Sequence, residues 1–266
     1  MLFSPLVESL LSPNCTDISL YGAKAANLAK AAQFGFVVPE GFAVSRLCTE
    51  DEFAQIAQGI IGELSPPVAV RSSATNEDSA TQAFAGQFET CLGVSLTADL
   101  MNAFTVVKRS GSTNIFKKNH GDAIPTDQIA VLIQRMVDAT RAGVAFSRDP
   151  STGEPKVIIE SNYGLGKSVV DGAVTPDSID YLPDGTYRTY IGRKSIQIIL
   201  ADNGVHVQDT PTADSQRCSL AGEEISEIAN LVRGVERDLG FPADIEWAFD
   251  STGTLFLLQA RPITTL

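Results

Sequence analysis

The 266-residue chain has only two histidines, His120 and His206. It has 20 Lys and Arg residues against 32 Asp and Glu residues, which gives a net charge of −12. This shortage of positive charge argues against nucleic-acid binding, because phosphate backbones need a basic face. No apolar run reaches membrane-spanning length, and the first residues, MLFSPLVESLLSPN, lack a basic region, so we expect no transmembrane helix, signal peptide or membrane partner. The four cysteines have no metal-type spacing, which favours a reduced, cytoplasmic protein.

The order of the apolar patterns predicts an α+β fold with two lobes. Hydrophobic residues make up 44% of the chain, which is enough core for one large domain or two lobes. Helices are predicted over Gly22–Gln33, over 97–110 with Thr97 as its N-cap, and over a stretch that Gly240 ends. Strand patterns lie mostly between them, at Val68–Arg71, Ile129–Met136, Gly143–Ser147, Lys156–Glu160 and in hairpins around Pro183–Gly185 and 202–204.

A last predicted hairpin, DIEWAFDSTGTLFLLQAR, brings polar side chains together. If its loop is Ser251–Thr254, the paired residues are Asp250 with Leu255, Glu246 with Gln259, and Asp244 with Arg261. Alternate residues share a face, so one face is polar and the other holds the core residues Ile245, Trp247, Phe249, Phe256 and Leu258. Two interpretations stay open: a surface ion pair between Asp244 and Arg261, or a hard-cation site with Glu246 and Gln259 as ligands and Arg261 near a phosphate.

Two shorter signals are ambiguous by themselves. The sequence YGLGKS at Tyr163–Ser168 ends like a P-loop, but Ser161 stands where that motif needs its first glycine, so we do not predict a P-loop. Lys24 lies early in a helix, where its charge opposes the helix dipole unless it has an anionic partner. It is either a solvated surface lysine or a ligand for an anion.

Six blocks in order carry a family resemblance: YGAKAANLAK, VVPEGFAVS, VAVRSSATNED…FAGQFET, IQRMV…AGVAFSRDP, YGLGKSVVDGAVTPD and DIEWAFD…LFLLQARPI. They resemble the ATP-binding domain shared by phosphoenolpyruvate synthase, pyruvate phosphate dikinase and rifampicin phosphotransferase. The similarity covers nearly the whole chain, so it implies that residues 1–266 form a single ATP-binding domain with a two-lobed, ATP-grasp-like fold and nucleotide between the lobes.

The resemblance also implies roles for individual residues. It implies that Lys24, Arg71 and Arg261 contact the phosphates, and these three residues are the catalytic candidates. It also implies that Gly86 and Thr90 belong to a loop that approaches the phosphates closely. Near the adenine it implies Gln134 and the backbone of Met136 and Val137. It implies that Glu246 and Gln259 are Mg²⁺ ligands, with Asp244 in support. The implied cofactors are therefore ATP and Mg²⁺.

The arginine that ends the VAVR strand fits this chemistry. The fixed fork of Arg71 can grip phosphoryl oxygens, hydroxyl donors follow at Ser72, Ser73 and Thr75, and a glycine at position 86 lets the backbone come close. Such a site works by positioning and charge neutralisation. A magnesium ion would explain how an acidic chain tolerates ATP.

The chain departs from the family pattern in three places. Full-length members add a histidine swivel domain and a phosphoenolpyruvate/pyruvate-binding barrel, and we expect neither within residues 1–266, because neither His120 nor His206 lies in a comparable motif. The segment between Gly41 and Arg71 is short, which indicates a trimmed first lobe. Lys167 stands where the family commonly has glutamate.

Three functions remain open. The favoured one is an ATP-dependent phosphotransferase, a kinase of the EC 2.7 class, that serves a histidine on a separate protein or a small-molecule acceptor. The alternative is a ligase that activates a carboxylate as an acyl phosphate. A non-catalytic nucleotide sensor is disfavoured, because a sensor does not need both metal ligands and a phosphate clamp.

Overall fold

The computed structural model describes residues 6–75, 78–79, 82–83, 88–112, 126–201 and 204–265. The chain divides into two compact units. Unit 1 comprises Met1–Gln33 and Pro39–Met136, and unit 2 comprises Phe34–Val38 and Val137–Leu266. Both units combine helices with largely antiparallel sheets, which confirms the predicted two-part α+β class. The helices found in the described residues lack the length and the continuous apolar character that a membrane span requires.

Unit 1 is built on a five-stranded sheet in the order β1-β2-β7-β3-β6. Its strands are β1 (Val7–Ser9), β2 (Gly41–Val44), β3 (Val68–Ala74), β6 (Thr90–Val94) and β7 (Ile129–Arg135), with the short pair β4 (Asp78–Ser79) and β5 (Gln82–Ala83) apart from the sheet. Its helices are α1 (Ile18–Gln33), α2 (Glu50–Leu64) and α3 (Thr97–Arg109). Leu96, one residue before the predicted Thr97, is the N-cap of α3.

One face of the unit 1 sheet packs against α2 and α3 in a hydrophobic core cluster. Val70 of β3 and Ile133 of β7 are paired and fully buried, and they belong to the cluster that contains the apolar faces of α2 and α3. Phe53 and Phe104 stack between those helices with their ring centroids 3.9 Å apart. Because strand side chains alternate, the residues between these core positions point to the opposite face of the sheet, and the predicted site residues of β3 and β7 are among them.

Unit 2 is built on a six-stranded sheet in the order β11-β10-β9-β8-β14-β15, and a separate hairpin, β12-β13, accompanies it. The strands are β8 (Ala139–Phe146), β9 (Val157–Tyr163), β10 (Asp177–Tyr181), β11 (Tyr187–Tyr190), β12 (Ile196–Ala201), β13 (Gly204–Asp209), β14 (Ala243–Asp250) and β15 (Leu255–Pro262). Two single-turn helices, α4 (Lys167–Val170) and α5 (Thr212–Ser215), lie in its connections, and α6 (Gly222–Leu239) packs against the sheet.

The long helix α6 ends as its sequence predicts. Ile225, Ile228 and Val232 of its apolar stripe are buried. Gly240 follows the last turn in the left-handed conformation, with φ 81°, and its amide bonds to the carbonyl of Glu236. Glycine adopts this conformation without a Cβ penalty, so the helix ends there and the chain enters β14.

Candidate functional site

Lys24 is a buried residue of unit 1. Helix α1 is interrupted at Gly22, whose φ of 74° and ψ of 169° are not helical, so a new helical segment begins just before Lys24. The Lys24 side chain is only 6% exposed, and its Nζ donates to the backbone carbonyl of Ser72 at 2.9 Å. The solvated-surface interpretation is therefore wrong, and Lys24 is attached to the strand that also carries Arg71.

Arg71, Thr90 and Gln134 share one face of the unit 1 sheet. Arg71 pairs with Thr90 on one side and with Leu132 on the other. Gln134 lies two residues beyond Leu132 on β7, so it points to the same face. Its Nε2 donates to the carbonyl of Pro39 at 3.4 Å, and the residue is 3% exposed. The structure thus brings together three side chains that were predicted to contact the nucleotide, on the face opposite the core cluster of α2 and α3.

The remaining nucleotide candidates around unit 1 have different outcomes. The amide of Met136 donates to the carbonyl of Pro67 at 3.0 Å, and its Sδ accepts from the amide of Gly93 at 3.0 Å. The Met136 amide is therefore committed to the protein backbone. Val137 is the first residue of the second segment of unit 2. Gly86 lies outside the described residues.

In unit 2, the β14-β15 pairing has the register that matters for the site. Asp244 is paired with Arg261, and Glu246 with Gln259, as predicted. A bulge follows Glu246, and beyond it Phe249, and not Asp250, is opposite Leu255. The predicted core face of β15 was therefore wrong at two positions. Leu257 is fully buried, while Phe256 and Leu258 are only partly buried.

The Asp244–Arg261 ion pair has little access to solvent. Arg261 donates from both Nε and Nη2 to Asp244 Oδ2, at 2.8 and 2.7 Å. Asp244 is 8% exposed. Its burial raises the pKa of the carboxyl above the ordinary value, and the Arg261 charge offsets only part of this rise. The guanidinium is thereby fixed beside Glu246 and Gln259 on the same face of the sheet.

Glu160 is an acidic residue of this face that the sequence analysis missed. It pairs across β9 and β8 with Val144, which is itself paired with Glu246, so both glutamates project to the same side of the sheet. Burial and the charge of Asp244 raise the pKa of the Glu160 carboxyl. The apolar context of VIIES gave no sign of this role, because strand β9 reads as a core strand unless its partner strands are known.

The oxygen donors of this face fit a magnesium ion. Glu246 offers a carboxylate and Gln259 an amide carbonyl from opposed positions, and Mg²⁺ prefers oxygen ligands. Within the described ranges, no group of three or more His, Cys, Asp or Glu side chains forms a metal cluster. A cation held by this pair would therefore complete its coordination with water and phosphate oxygens, as Mg²⁺ does in nucleotide sites.

The GKS sequence has a structural role. Lys167 pairs with Asp171, one helical turn later, at 2.6 Å. The Ser168 hydroxyl is buried and accepts a hydrogen bond from Asn162 Nδ2 at 3.0 Å. A P-loop needs this hydroxyl for a metal ion and this lysine for phosphate, so the structure agrees with the sequence in offering no P-loop. His206 is exposed on strand β13, and His120 lies outside the described residues.

Comparison with known proteins decides the family. Residues 47–266 match the model of the pyruvate phosphate dikinase AMP/ATP-binding domain. The chain belongs to this family. It is 31% identical over 283 residues to an uncharacterized phosphotransferase, YvkC, of Bacillus subtilis, covering 93% of this chain and 34% of the relative. It is 37% identical over 220 residues to the phosphoenolpyruvate synthase of Neisseria meningitidis, covering 74% of this chain and 27% of that protein.

A third relative, a probable phosphoenolpyruvate synthase of Methanothermobacter thermautotrophicus, is 31% identical over 312 residues, covering 94% of this chain and 45% of the relative. The Bacillus and Methanothermobacter relatives match more than nine-tenths of this chain, but both are much longer. The chain spans 34% of the first and 45% of the second. Solved structures with some likeness include a D-alanine-D-alanine ligase from Coxiella burnetii, with 10% identity and a TM-score of 0.42 over 92% of this chain and 48% of that one. An L-amino acid ligase from Bacillus licheniformis has 14% identity and a TM-score of 0.44 over 94% and 44%. Values this low add nothing to the family assignment.

Proposed function

We propose that residues 1–266 act as one ATP-binding domain, which binds ATP with Mg²⁺ and carries out ATP-dependent phosphoryl transfer as a kinase. The observation that carries this proposal is the β14-β15 register, which sets Glu246 opposite Gln259 and Asp244 opposite Arg261. Membership in a family of AMP/ATP-binding domains supports it.

In unit 1, the proposed work is to bind and orient phosphates. Lys24 and Arg71 are joined through consecutive residues of β3, since Lys24 Nζ bonds to the carbonyl of Ser72. Because Lys24 is bonded to the residue that follows Arg71, the two cations lie in one region and can neutralise phosphate charge. Arg71 also has a planar guanidinium that fits phosphoryl oxygens. Gln134 and Thr90, on the same face as Arg71, add polar contacts for the nucleotide.

In unit 2, the proposed work is to hold the metal and one further phosphate contact. Glu246 and Gln259 would be the protein ligands of Mg²⁺, with Asp244 in support. A bound Mg²⁺ ion would supply charge neutralisation on the phosphate oxygens. Asp244 orients Arg261 by accepting from Nε and Nη2, and a guanidinium held in this way is proposed to contact phosphate.

The phosphoryl acceptor is proposed to be either a histidine on a separate protein or a small molecule. The phosphotransferase and phosphoenolpyruvate synthase names belong to relatives that are two to three times longer than the matched segment, so the acceptor of this chain must be found by experiment. A cytoplasmic location is proposed because the free cysteines suit a reducing compartment.

The first test is binding. A ligand that binds only the folded state raises its stability by an amount set by the ratio of ligand concentration to Kd. We expect millimolar Mg-ATP to raise the melting temperature, and Arg71→Ala and Glu246→Ala to reduce that rise. No shift with the wild-type protein would contradict the proposal.

The second test identifies products. Dikinase chemistry yields AMP, whereas simple kinase or acyl-phosphate chemistry usually yields ADP. Chromatography of nucleotides after incubation with Mg-ATP and candidate acceptors separates these outcomes. ADP formation that depends on an added carboxylate and amine would favour the ligase alternative, and binding without turnover under every condition would favour a nucleotide sensor.

A further inference from the structure

The N-terminal end of the helical segment that carries Lys24 is joined to β3 by three contacts. The backbone of Gly22 lies so close to Ser73 that a Cβ at position 22 would be 1.8 Å from the Ser73 carbonyl oxygen. The amide of Ala25 donates to Ser73 Oγ at 3.0 Å. Lys24 Nζ donates to the carbonyl of Ser72 at 2.9 Å. Three residues of the Lys24 segment, Gly22, Lys24 and Ala25, thus meet two consecutive residues of strand β3.

The Ala25 amide is one of the donors that a helix leaves without an internal acceptor. The helical path is broken at Gly22, so the amides of the next residues begin a new first turn. An N-cap side chain normally accepts from the second or third residue of that turn. Glycine has no side chain to do this, and the hydroxyl of Ser73 accepts the bond from a different element of the fold.

We propose that Ser73 is a positioning residue for nucleotide binding: its hydroxyl caps the Lys24 helix from strand β3 and so fixes Lys24 relative to Arg71. This inference rests on the proposed function, because it assigns both cations to the phosphates of ATP. Arg71 lies two residues before Ser73 on the same strand and the same face. One strand therefore carries one of the cations and holds the helix of the other.

The burial of Ser73 makes the cap hard to replace. Ser73 is fully buried, so removal of its hydroxyl leaves the Ala25 amide with no solvent close by to accept in its place. The first turn that contains Lys24 would then lose its fixed orientation. The protein can remain folded, since the core cluster of unit 1 occupies the opposite face of the sheet, but the two cations would no longer be held at one spacing.

The test compares Ser73→Ala, Ser73→Thr and wild type by calorimetric titration with Mg-ATP at a temperature at which all three are folded. We expect Ser73→Ala to weaken Mg-ATP binding about five- to tenfold, in line with the loss of a helix cap, and Ser73→Thr, which keeps the hydroxyl, to bind within about twofold of wild type. Amide hydrogen exchange at Ala25 should accelerate in Ser73→Ala and stay slow in Ser73→Thr.

Ser110→Ala is the matched control. Ser110 is also a buried serine of unit 1, and its hydroxyl donates to the carbonyl of Val107 at the end of α3. Its loss should lower the melting temperature without changing the Kd for Mg-ATP. If Ser73→Ala binds as tightly as wild type, the positioning role is overturned while the proposed function stands. If the wild-type protein itself does not bind Mg-ATP, the proposed function fails and the inference fails with it.

Discussion

Replacing Gly22 with alanine should be among the most damaging single changes in unit 1. The backbone at Gly22, with φ 74° and ψ 169°, is in a region that only glycine occupies readily, and other residues held in such regions cost about 1–3 kcal/mol. The new Cβ would also be 1.8 Å from the Ser73 carbonyl oxygen, far inside the 3.0 Å below which such contacts essentially do not occur. Relieving that overlap requires a backbone shift that costs about another 1–3 kcal/mol.

The expected total for Gly22→Ala is about 4 kcal/mol, which corresponds to a fall in melting temperature of about 10 °C for a chain of this size. Gly172→Ala is the matched control, because Gly172 also has a positive φ, 65°, but has nothing within 4 Å of a built Cβ. It should lose only the backbone term, about 1 kcal/mol. Thermal unfolding of both variants, followed by circular dichroism, gives the comparison. If Gly22→Ala melts within about 2 °C of Gly172→Ala, a difference below 1 kcal/mol, the close approach of α1 to β3 is refuted.

Three further predictions concern charged residues. Arg71→Ala should reduce turnover of Mg-ATP at least about 10²-fold through loss of a transition-state donor. The melting temperature should change little, because the side chain is only partly buried. Near-normal turnover in a steady-state assay would show that Arg71 does not belong to the site. Glu160→Gln should raise stability at pH 7–8, because burial and Asp244 disfavour the charged carboxylate and raise its pKa. In denaturant titrations this gain should shrink as the pH falls below the ordinary glutamate pKa of about 4.3, where the carboxyl becomes protonated in both states, and a gain that persists there would contradict the raised pKa. Burial lowers the pKa of Lys108 to about 8 from 10.5, so between pH 8 and pH 10.5 the folded protein has lost this proton while the unfolded chain keeps it. The stability of the wild type should therefore rise relative to that of Lys108→Met by about 1–2 kcal/mol over this pH range. Parallel pH profiles of stability for the two proteins would contradict the lowered pKa.

The sequence predicts the site best where a face is defined by alternation. The pairs Asp244–Arg261 and Glu246–Gln259 follow from a loop placement and a period of two, and the structure has both. The same reasoning failed toward the turn, because a bulge after Glu246 shifts the register by one residue. A bulge changes which residues face the core, and nothing in LFLLQ, where every side chain but one is apolar, marks its position.

Contacts between distant segments were not predictable from local patterns. From the sequence alone, Lys24 could be either a surface lysine or an anion ligand. Only the packing of α1 on β3 makes it a buried hydrogen-bond donor. Glu160 joins the polar face because β8 places its partner beside Glu246. The capping bond from Ser73 to Ala25 spans 48 residues. Such relations depend on strand order and helix docking, which a single sequence does not encode in its periodicity.

We propose above all that Glu246 and Gln259 hold a magnesium ion that tightens the binding of ATP. The direct measurement is the Kd for ATP by calorimetry, with excess Mg²⁺ and with a chelator, for wild type and for Glu246→Ala/Gln259→Ala. The account predicts that Mg²⁺ tightens ATP binding to wild type by at least about tenfold, equivalent to about 1.4 kcal/mol, and that the double variant loses this dependence. An equal gain from Mg²⁺ in both proteins would contradict it.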